Sequence, residues 1–381
     1  MMKILYISRD YCPHDHRHLS AIRDGGHEAY YLRLENANRG LEGRSLPEGV
    51  RLVTWKGGQG RFHLWNAPGL ALDLKRVIID IRPDIIHAGP IQSSGLVAAL
   101  SGFHPLVSMS WGFDLMRDAD RNVVSRWVTR NVLRKSDWLF ADCRAVLHKA
   151  EKYGYDLVRS TYFPWGVDLN HFQPGENNRI TDELGWKDAF VLFCNRSWEP
   201  QYGVDVVARA FVEAARVDPN LRLLLLASGS QAENLREIFS AGGVTDKVHM
   251  PGQIRYDELP DYYRSADLYI SASHIDGSSV SLMEALACGL PAAVSNIPGN
   301  LEWVTHGEQG WVFADGNTSA LAEIMLKAHQ SRVDLAVMSL RARHKAEQQA
   351  NWITNQQRML EGYRKVTAEA SALNGQQVSH E

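Results

Sequence analysis

Short apolar runs alternate with amphipathic stretches along most of this chain, and that alternation limits the fold more than any other feature. Parallel strands buried on both faces read as brief continuous apolar runs, and joining them requires a crossover, usually a helix. In the first half, strands are predicted at Lys3–Ile7, Glu28–Leu34, Arg51–Trp55, Ile85–Ala88, Leu106–Ser110, Trp138–Ala141 and Ser160–Phe163. Helices are predicted between them near His18–Asp24, Ala71–Ile81, Ser94–Leu100, Asn122–Arg134 and Arg144–Tyr153. The pattern then restarts. Phe190–Cys194, Leu221–Ala227, Lys247–Met250, Leu268–Ser271, Ala292–Ser295 and Trp311–Phe313 read as strands. Val204–Arg216, Ala232–Phe239, Leu259–Ser265, Ser279–Cys288 and Ser319–His329 read as helices. The fold class expected is α/β, with two doubly wound, Rossmann-like domains.

The junction is expected within Pro164–Asp188, where Pro164, Gly166, Pro174, Gly175 and the pair Asn177-Asn178 interrupt the pattern. The expected domains are residues 1–170 and 171–350. Residues 351–381 are expected to form a helix returning to the first domain, with Trp352, Ile353, Met359, Leu360 and Tyr363 on its buried side and fraying from Leu373. A length of 381 residues suits about two domains. With 45% hydrophobic and 22% charged residues, the chain is not a disordered one.

Lys plus Arg number 41 and Asp plus Glu 44, a formal charge of −3, so the global basic field of a nucleic-acid binder is lacking. The longest aliphatic run, Leu223–Leu226, is far below the ~20 residues that span a bilayer. Ile4–Ile7 is too short for a signal-peptide core. Cys12, Cys143, Cys194 and Cys288 are dispersed without metal-ligand spacing, which suits a reduced, cytoplasmic protein.

Ser271–Pro291 carries the most chemistry. A strand feeds the loop His274-Ile275-Asp276-Gly277-Ser278, and a helix beginning near Ser279 carries Glu284. Exposed N–H groups from Gly277 to Val280 would form an anion site at the helix start, flanked by two carboxylates suited to hydroxyl groups. The spacing also fits a plain capping box, Ser281 with Glu284, and Asp276-Gly277 is a common turn.

This segment resembles the acidic-x7-Glu signature of retaining glycosyltransferases of family 4, which have the GT-B fold. Other stretches resemble the same family in order: Arg82–Gly89 (RPDIIHAG), Phe163–Pro174 (FPWGVDLNHFQP), Phe193–Phe211 (FCNRSWEPQYGVDVVARAF), Asp246–Ile254, Tyr262–Ser273 and Ile297–Phe313. The resemblance implies transfer of a sugar from a nucleotide-diphosphate sugar, with retention, to a saccharide, lipid-linked or small-molecule acceptor in cell-surface glycan or glycoconjugate synthesis. The expected donor is a UDP-sugar first and a GDP-sugar second, with no metal and no other cofactor.

By the same resemblance, Glu284 would accept ribose hydroxyls and Asp276 hydroxyls of the donor sugar. Gly277, Ser278, Ser279 and Val280 would offer N–H groups to sugar and diphosphate. Arg196 would clamp the diphosphate, and Gln253 and Ile254 would approach the base. Arg196, Asp276 and Asp114 are the expected catalytic groups. His87, Trp111, Asp15, His16 and Arg17 are expected on the acceptor side.

Three departures from the family pattern stand out. Tyr202 occupies a place often held by Lys, and Trp111 one often held by His. The first loop reads Cys12-Pro13-His14-Asp15-His16-Arg17-His18 instead of carrying adjacent glycines, and Gly25-Gly26 come later. His14, His16 and His18 alternate superficially like metal ligands, but His16 would leave a shared helix face. The Asp15–Arg17 loop reads either as a rim contact or as a solvated loop, and His87 either as an acceptor contact or as a core histidine. Gly57-Gly58-Gln59-Gly60 lacks the third glycine of a dinucleotide site. Arg126, Arg130 and Arg134 beside Trp127 read as a solvated basic face or as an interfacial helix, so peripheral contact with the inner membrane face stays open. Two rivals to transfer remain at this level: a nucleotide-sugar epimerase of the same fold, and a non-catalytic sugar-binding protein.

Overall fold

The computed structural model describes residues 1–36, 43–175 and 179–378. The expected pair Asn177-Asn178 lies outside them. The described residues divide into two units: Met1–Trp165 with Ile353–Glu381, and Gly166–Trp352.

The first unit contains a seven-stranded sheet of β1 (Lys3–Ser8), β2 (Glu28–Arg33), β3 (Arg51–Leu52), β4 (Ile85–Ala88), β5 (Leu106–Met109), β6 (Trp138–Ala141) and β7 (Ser160–Tyr162). The order is β3-β2-β1-β4-β5-β6-β7, and every pair is parallel. Its helices are α1 (Pro13–Asp24), α2 (Ala67–Ile81), α3 (Leu96–Ser101), α4 (Phe113–Met116), α5 (Val123–Lys135) and α6 (Arg144–Lys152). One core is aliphatic, where α2, α3, α5 and α6 cover the sheet through Leu74, Val97, Val128, Val132 and Val146. The other is aromatic: Tyr6 pairs in register with His87, and their rings lie 4.9 Å apart.

The second unit has β8 (Phe190–Cys194), β9 (Leu221–Leu226), β10 (Val248–Gly252), β11 (Leu268–Ser271), β12 (Ala292–Ser295) and β13 (Gly310–Phe313). The order is β10-β9-β8-β11-β12-β13, again all parallel. The helices are α7 (Arg179–Glu183), α8 (Val204–Val217), α9 (Ala232–Gly242), α10 (Leu259–Arg264), α11 (Val280–Ala287), α12 (Pro298–Leu301), α13 (Thr318–Gln330) and α14 (Arg332–Gln349). Residues 166–175 are not a free connector. The Val167 N–H donates to the Ala350 carbonyl, and Arg343 Nη1 donates to the carbonyls of Phe172 and Ala287.

The last helix, α15 (Trp352–Val378), packs in the first unit through Met359, Tyr363 and Val366. Tyr363 meets Phe140 at 5.4 Å between ring centroids. Two expectations for this tail need correction. Ile353 is 58% exposed instead of buried, and helical backbone continues past Leu373 to Val378.

In both units the strand order reverses beside the first strand, between β1 and β4 and between β8 and β11. Open parallel sheets bind ligands outside the carboxyl ends of the strands at such a reversal.

Candidate active site

In the second unit, the loops after β8 and β11 leave the two strands that flank the reversal. Arg196 stands on the first loop and Asp276 on the second. Arg196 Nη2 donates to Asp276 Oδ2 at 2.6 Å. Arg196 Nη1 donates to Ser279 Oγ at 2.6 Å and to Ser281 Oγ at 3.0 Å. The two charged side chains are only 10% and 17% exposed. Burial works against the guanidinium charge, but Asp276 overrides it and keeps Arg196 protonated. Burial likewise pushes the Asp276 carboxyl up, while the Arg196 charge and the Gly277 N–H hold it back. Arg196 Nε is buried and has no partner among the described residues.

The Tyr202 ring closes one side, with its centroid 4.2 Å from the Arg196 guanidinium carbon. Gly203 makes this approach sterically allowed. It has φ +59°, and a Cβ there would lie 2.1 Å from the Ala272 carbonyl oxygen. Gly299, opening α12, plays the same part behind the Asp276 loop, where a Cβ would lie 2.3 Å from the Gly277 oxygen.

Ser279 is the N-cap of α11 and accepts from the Leu282 N–H. The alternative capping box of Ser281 and Glu284 is therefore not formed. Ser281 instead takes the hydroxyl of Tyr269 at 2.9 Å as well as Arg196. Glu284 is buried, and its Oε2 accepts from the Tyr263 hydroxyl at 2.8 Å. Asn195 Nδ2 donates to the same hydroxyl at 2.7 Å. Ser278 is buried, with the Trp303 indole N–H 3.3 Å from its Oγ. Gly277 is buried and Val280 half-buried, at the loop and helix start. Gln253 is exposed and Ile254 half-buried just after β10.

Arg196, Asp276, Ser279 and Tyr202 thus form one cluster, and Ser281 links it through Tyr269 to the neighbourhood of Glu284. Sequence reasoning missed Asn195, Tyr263, Tyr269 and Ser281. Tyr263 and Tyr269 lie within Tyr262–Ser273, where the family pattern gave them no role; their buried hydroxyls needed partners, which is the only signal that could have found them.

In the first unit the expected residues fall differently. α1 begins at Pro13, not near His18, so the expected loop is the helix's first turn. Asp15 is buried there, accepting the Cys12 N–H at 2.8 Å and the Tyr6 hydroxyl at 2.8 Å. It caps the helix and is not a rim residue. Burial pushes its carboxyl up to about 7. His16 is half-buried, with Nδ1 2.7 Å from the Tyr11 hydroxyl, and Arg17 is half-buried beyond it.

His87 is fully buried and lies 2.5 Å from the Tyr363 hydroxyl, so it is the core histidine of the two readings. Asp114 is also fully buried. It accepts from the N–H groups of Ile91, Trp111 and Leu115 and from Ser110 Oγ. These bonds hold the loop after β5 and leave Asp114 a structural carboxylate instead of a catalytic one. Trp111 is half-buried, its ring centroid 6.0 Å from that of His14.

Two parallel α/β units, one carrying an arginine–aspartate pair and a buried glutamate at its strand reversal, have the GT-B architecture seen in glycosyltransferases. Residues 3–142 match the model for glycosyl transferase 4-like proteins, and residues 176–351 match that for glycosyl transferases group 1. The chain belongs to this glycosyltransferase family and transfers a glycosyl group from a nucleotide sugar to an acceptor.

It is 27% identical over 311 residues to the GDP-mannose-dependent alpha-(1-6)-phosphatidylinositol monomannoside mannosyltransferase of Mycolicibacterium smegmatis, covering 77% of this chain and 80% of that one. It is 29% identical to the D-inositol 3-phosphate glycosyltransferase of Acidothermus cellulolyticus, over 54% of this chain and 45% of that one. The fold matches Anabaena HepE in complex with UDP-glucose at TM-score 0.81 and 19% identity, over 96% of this chain and 100% of that one. It matches the sucrose-phosphate synthase of Thermosynechococcus elongatus at TM-score 0.83 and 17% identity, over 97% and 100%.

Proposed function

We propose that the chain is a retaining hexosyltransferase whose second unit holds a nucleoside-diphosphate hexose. The observation that carries this reading is the buried Arg196 Nε without a partner among the described residues, in a guanidinium whose two Nη atoms are already fixed by Asp276, Ser279 and Ser281. A preoriented cation suits a diphosphate whose negative charge grows as the glycosidic bond breaks. Glu284 supplies a buried acceptor for the ribose hydroxyls. Its Tyr263 partner sets the carboxylate's position.

The acceptor oxygen attacks the anomeric carbon on the face from which the diphosphate leaves. The C–O bond to the diphosphate breaks, and a phosphate oxygen takes the acceptor's proton. Arg196 and the N–H groups at the start of α11 stabilise the departing charge. A uridine base is expected at the Gln253-Ile254 loop. The GDP-mannose named for the Mycolicibacterium relative makes guanosine the second reading. Transfer is expected to need no metal.

The acceptor is a saccharide, a lipid-linked glycan or a small molecule, with the enzyme in the cytoplasm or at the inner membrane face. Proton NMR of the product's anomeric position tests retention: the donor's configuration is expected, and the inverted anomer overturns the mechanism. Calorimetric titration with UDP and GDP separates the two bases.

A further inference from the structure

The loop that carries Asp276 is fastened at both ends by buried groups. At its start, Ser295 Oγ donates to the Ser273 carbonyl at 2.5 Å, and Asn300 Nδ2 lies 3.1 Å from that same Oγ. At its far end, Gly299 packs against the Gly277 carbonyl, and the Trp303 indole N–H reaches Ser278. His274 stands between these ends, two residues before Asp276. It connects the loop to two neighbours along the carboxyl edge of the sheet.

The first neighbour is the turn Pro200–Tyr202, whose last ring stacks on Arg196. The His274 backbone N–H donates to the Gln201 carbonyl there, at 3.0 Å. The second lies just past β13, where Asp315 Oδ1 is 2.6 Å from the ring Nδ1 of His274. A carboxylate only accepts, so Nδ1 carries the hydrogen. Asp315 is itself fixed, since its N–H donates to Asn296 Oδ1 at 2.9 Å. The two side chains are 35% and 38% exposed, and an ion pair that open to water adds little to stability. Its effect on alignment is larger. Asp276 orients Arg196 at 2.6 Å, and a misplacement of about 1 Å near reacting groups can cost a hundredfold in rate.

We propose that the His274–Asp315 pair is a positioning latch for glycosyl transfer. It sets the Asp276 loop against the Tyr202 turn, and so fixes the guanidinium of Arg196 where the leaving diphosphate gathers charge. His274 and Asp315 are positioning residues, acting through Asp276 and Arg196. The inference rests on the donor-site reading given above.

Nucleotide release from UDP-glucose and from GDP-mannose, with a mixture of soluble glycosides as acceptor, tests it on the full chain. His274→Ala and Asp315→Ala are each expected to lower kcat about tenfold while donor KM changes less than about twofold, the split expected when alignment in the transition state is lost. His274→Asn places an amide N–H near the position of Nδ1 and is expected to recover most of the lost kcat. The double alanine variant is expected to be no slower than the slower single one, because both substitutions remove the same contact. All four variants are expected to unfold within about 3 °C of the unaltered chain. A second measurement needs no donor: amide hydrogen exchange at residues 276–279 is expected to quicken about fivefold in the alanine variants and not in His274→Asn.

Unaltered kcat or unaltered exchange in the alanine variants overturns the proposal. Losses that multiply in the double variant show the two residues acting separately and overturn it too. A fall of about 10 °C in the unfolding midpoint, with no recovery in His274→Asn, assigns the pair to the fold and also overturns it. Full turnover in Arg196→Ala overturns the donor-site reading and the latch together. Loss of turnover in Arg196→Ala, with full turnover in both latch variants, overturns the latch alone.

Discussion

The Tyr202 ring faces the Arg196 guanidinium at 4.2 Å, in the place where many family members carry a lysine. The site therefore has one buried cation sandwiched between an aromatic face and a carboxylate, instead of two cations side by side. Tyr202 gives up a charge but fixes the remaining one, because a cation over a ring is attracted to its negative face. Gly203, pressed against the Ala272 carbonyl, makes the turn that holds the ring there.

Tyr202→Phe should keep the stacked geometry and most of the activity. Tyr202→Ala should lower kcat/KM for the donor about tenfold, given that a partly desolvated cation–π contact is worth ~1–2 kcal/mol. Steady-state kinetics on both variants decides the point. A Phe variant as poor as the Ala variant would show that the hydroxyl, not the ring, matters.

Breaking the Arg196–Asp276 pair leaves one charge nearly buried without its counter-ion. Asp276→Ala should destabilise the fold by about 3 kcal/mol, in the range seen when one member of a buried pair is removed. Arg196→Met combined with Asp276→Leu should be more stable than either single variant, though inactive. Urea unfolding of the three proteins measures it.

Tyr263→Phe removes a donor from the buried Glu284 carboxylate. A hydrogen bond to a charged group is worth ~1.5–3 kcal/mol, so donor KM should rise by at least about tenfold. The expected signature is a larger effect on KM than on kcat, since ribose is distant from the reacting carbon.

Burial holds His87 down at about 3, and burial with help from the Arg17 charge holds His14 at about 3. Both are neutral in the folded chain where the unfolded chain, with histidines near 6.5, takes up protons. Their contribution is fully present above about pH 6.5 and is lost as pH falls toward 3. Asp15, raised to about 7, works oppositely: its contribution is present below about pH 4 and is lost as pH rises through 7. Burial also lowers His18 and raises Asp114 and Asp276, so His87 and Asp15 are each isolated by a variant of their own in urea unfolding below about pH 6.5. His87→Leu should flatten the slope and Asp15→Asn should steepen it.

Much of this architecture was legible in the sequence. Each of the thirteen expected strand segments contains a strand; the central ones announce themselves because buried parallel strands must be apolar throughout, whereas β3, β7 and β10 are not fully buried. Ends shifted where polar groups set them. α1 starts at Pro13 because Asp15 closes a cap on Cys12, a pattern that charge-based reading assigns to a loop. Arg196, Asp276 and Glu284 could be located through their motif, but their partners could not. Ser281 and Tyr263 are brought in by β11, α10 and α11, and nothing local in their sequence shows that contact. Asp114 and His87 misled for the reverse reason. A buried carboxylate holding N–H groups and a buried imidazole against Tyr363 look the same in sequence as groups facing a substrate.

The decisive measurement on the donor site is nucleoside diphosphate release from a panel of nucleotide sugars, comparing the unaltered chain with Arg196→Ala and Glu284→Ala. Acceptor-dependent release by the unaltered chain, lost in both variants while their folds persist, is the predicted result. Full turnover in both variants would contradict the assignment of the donor site.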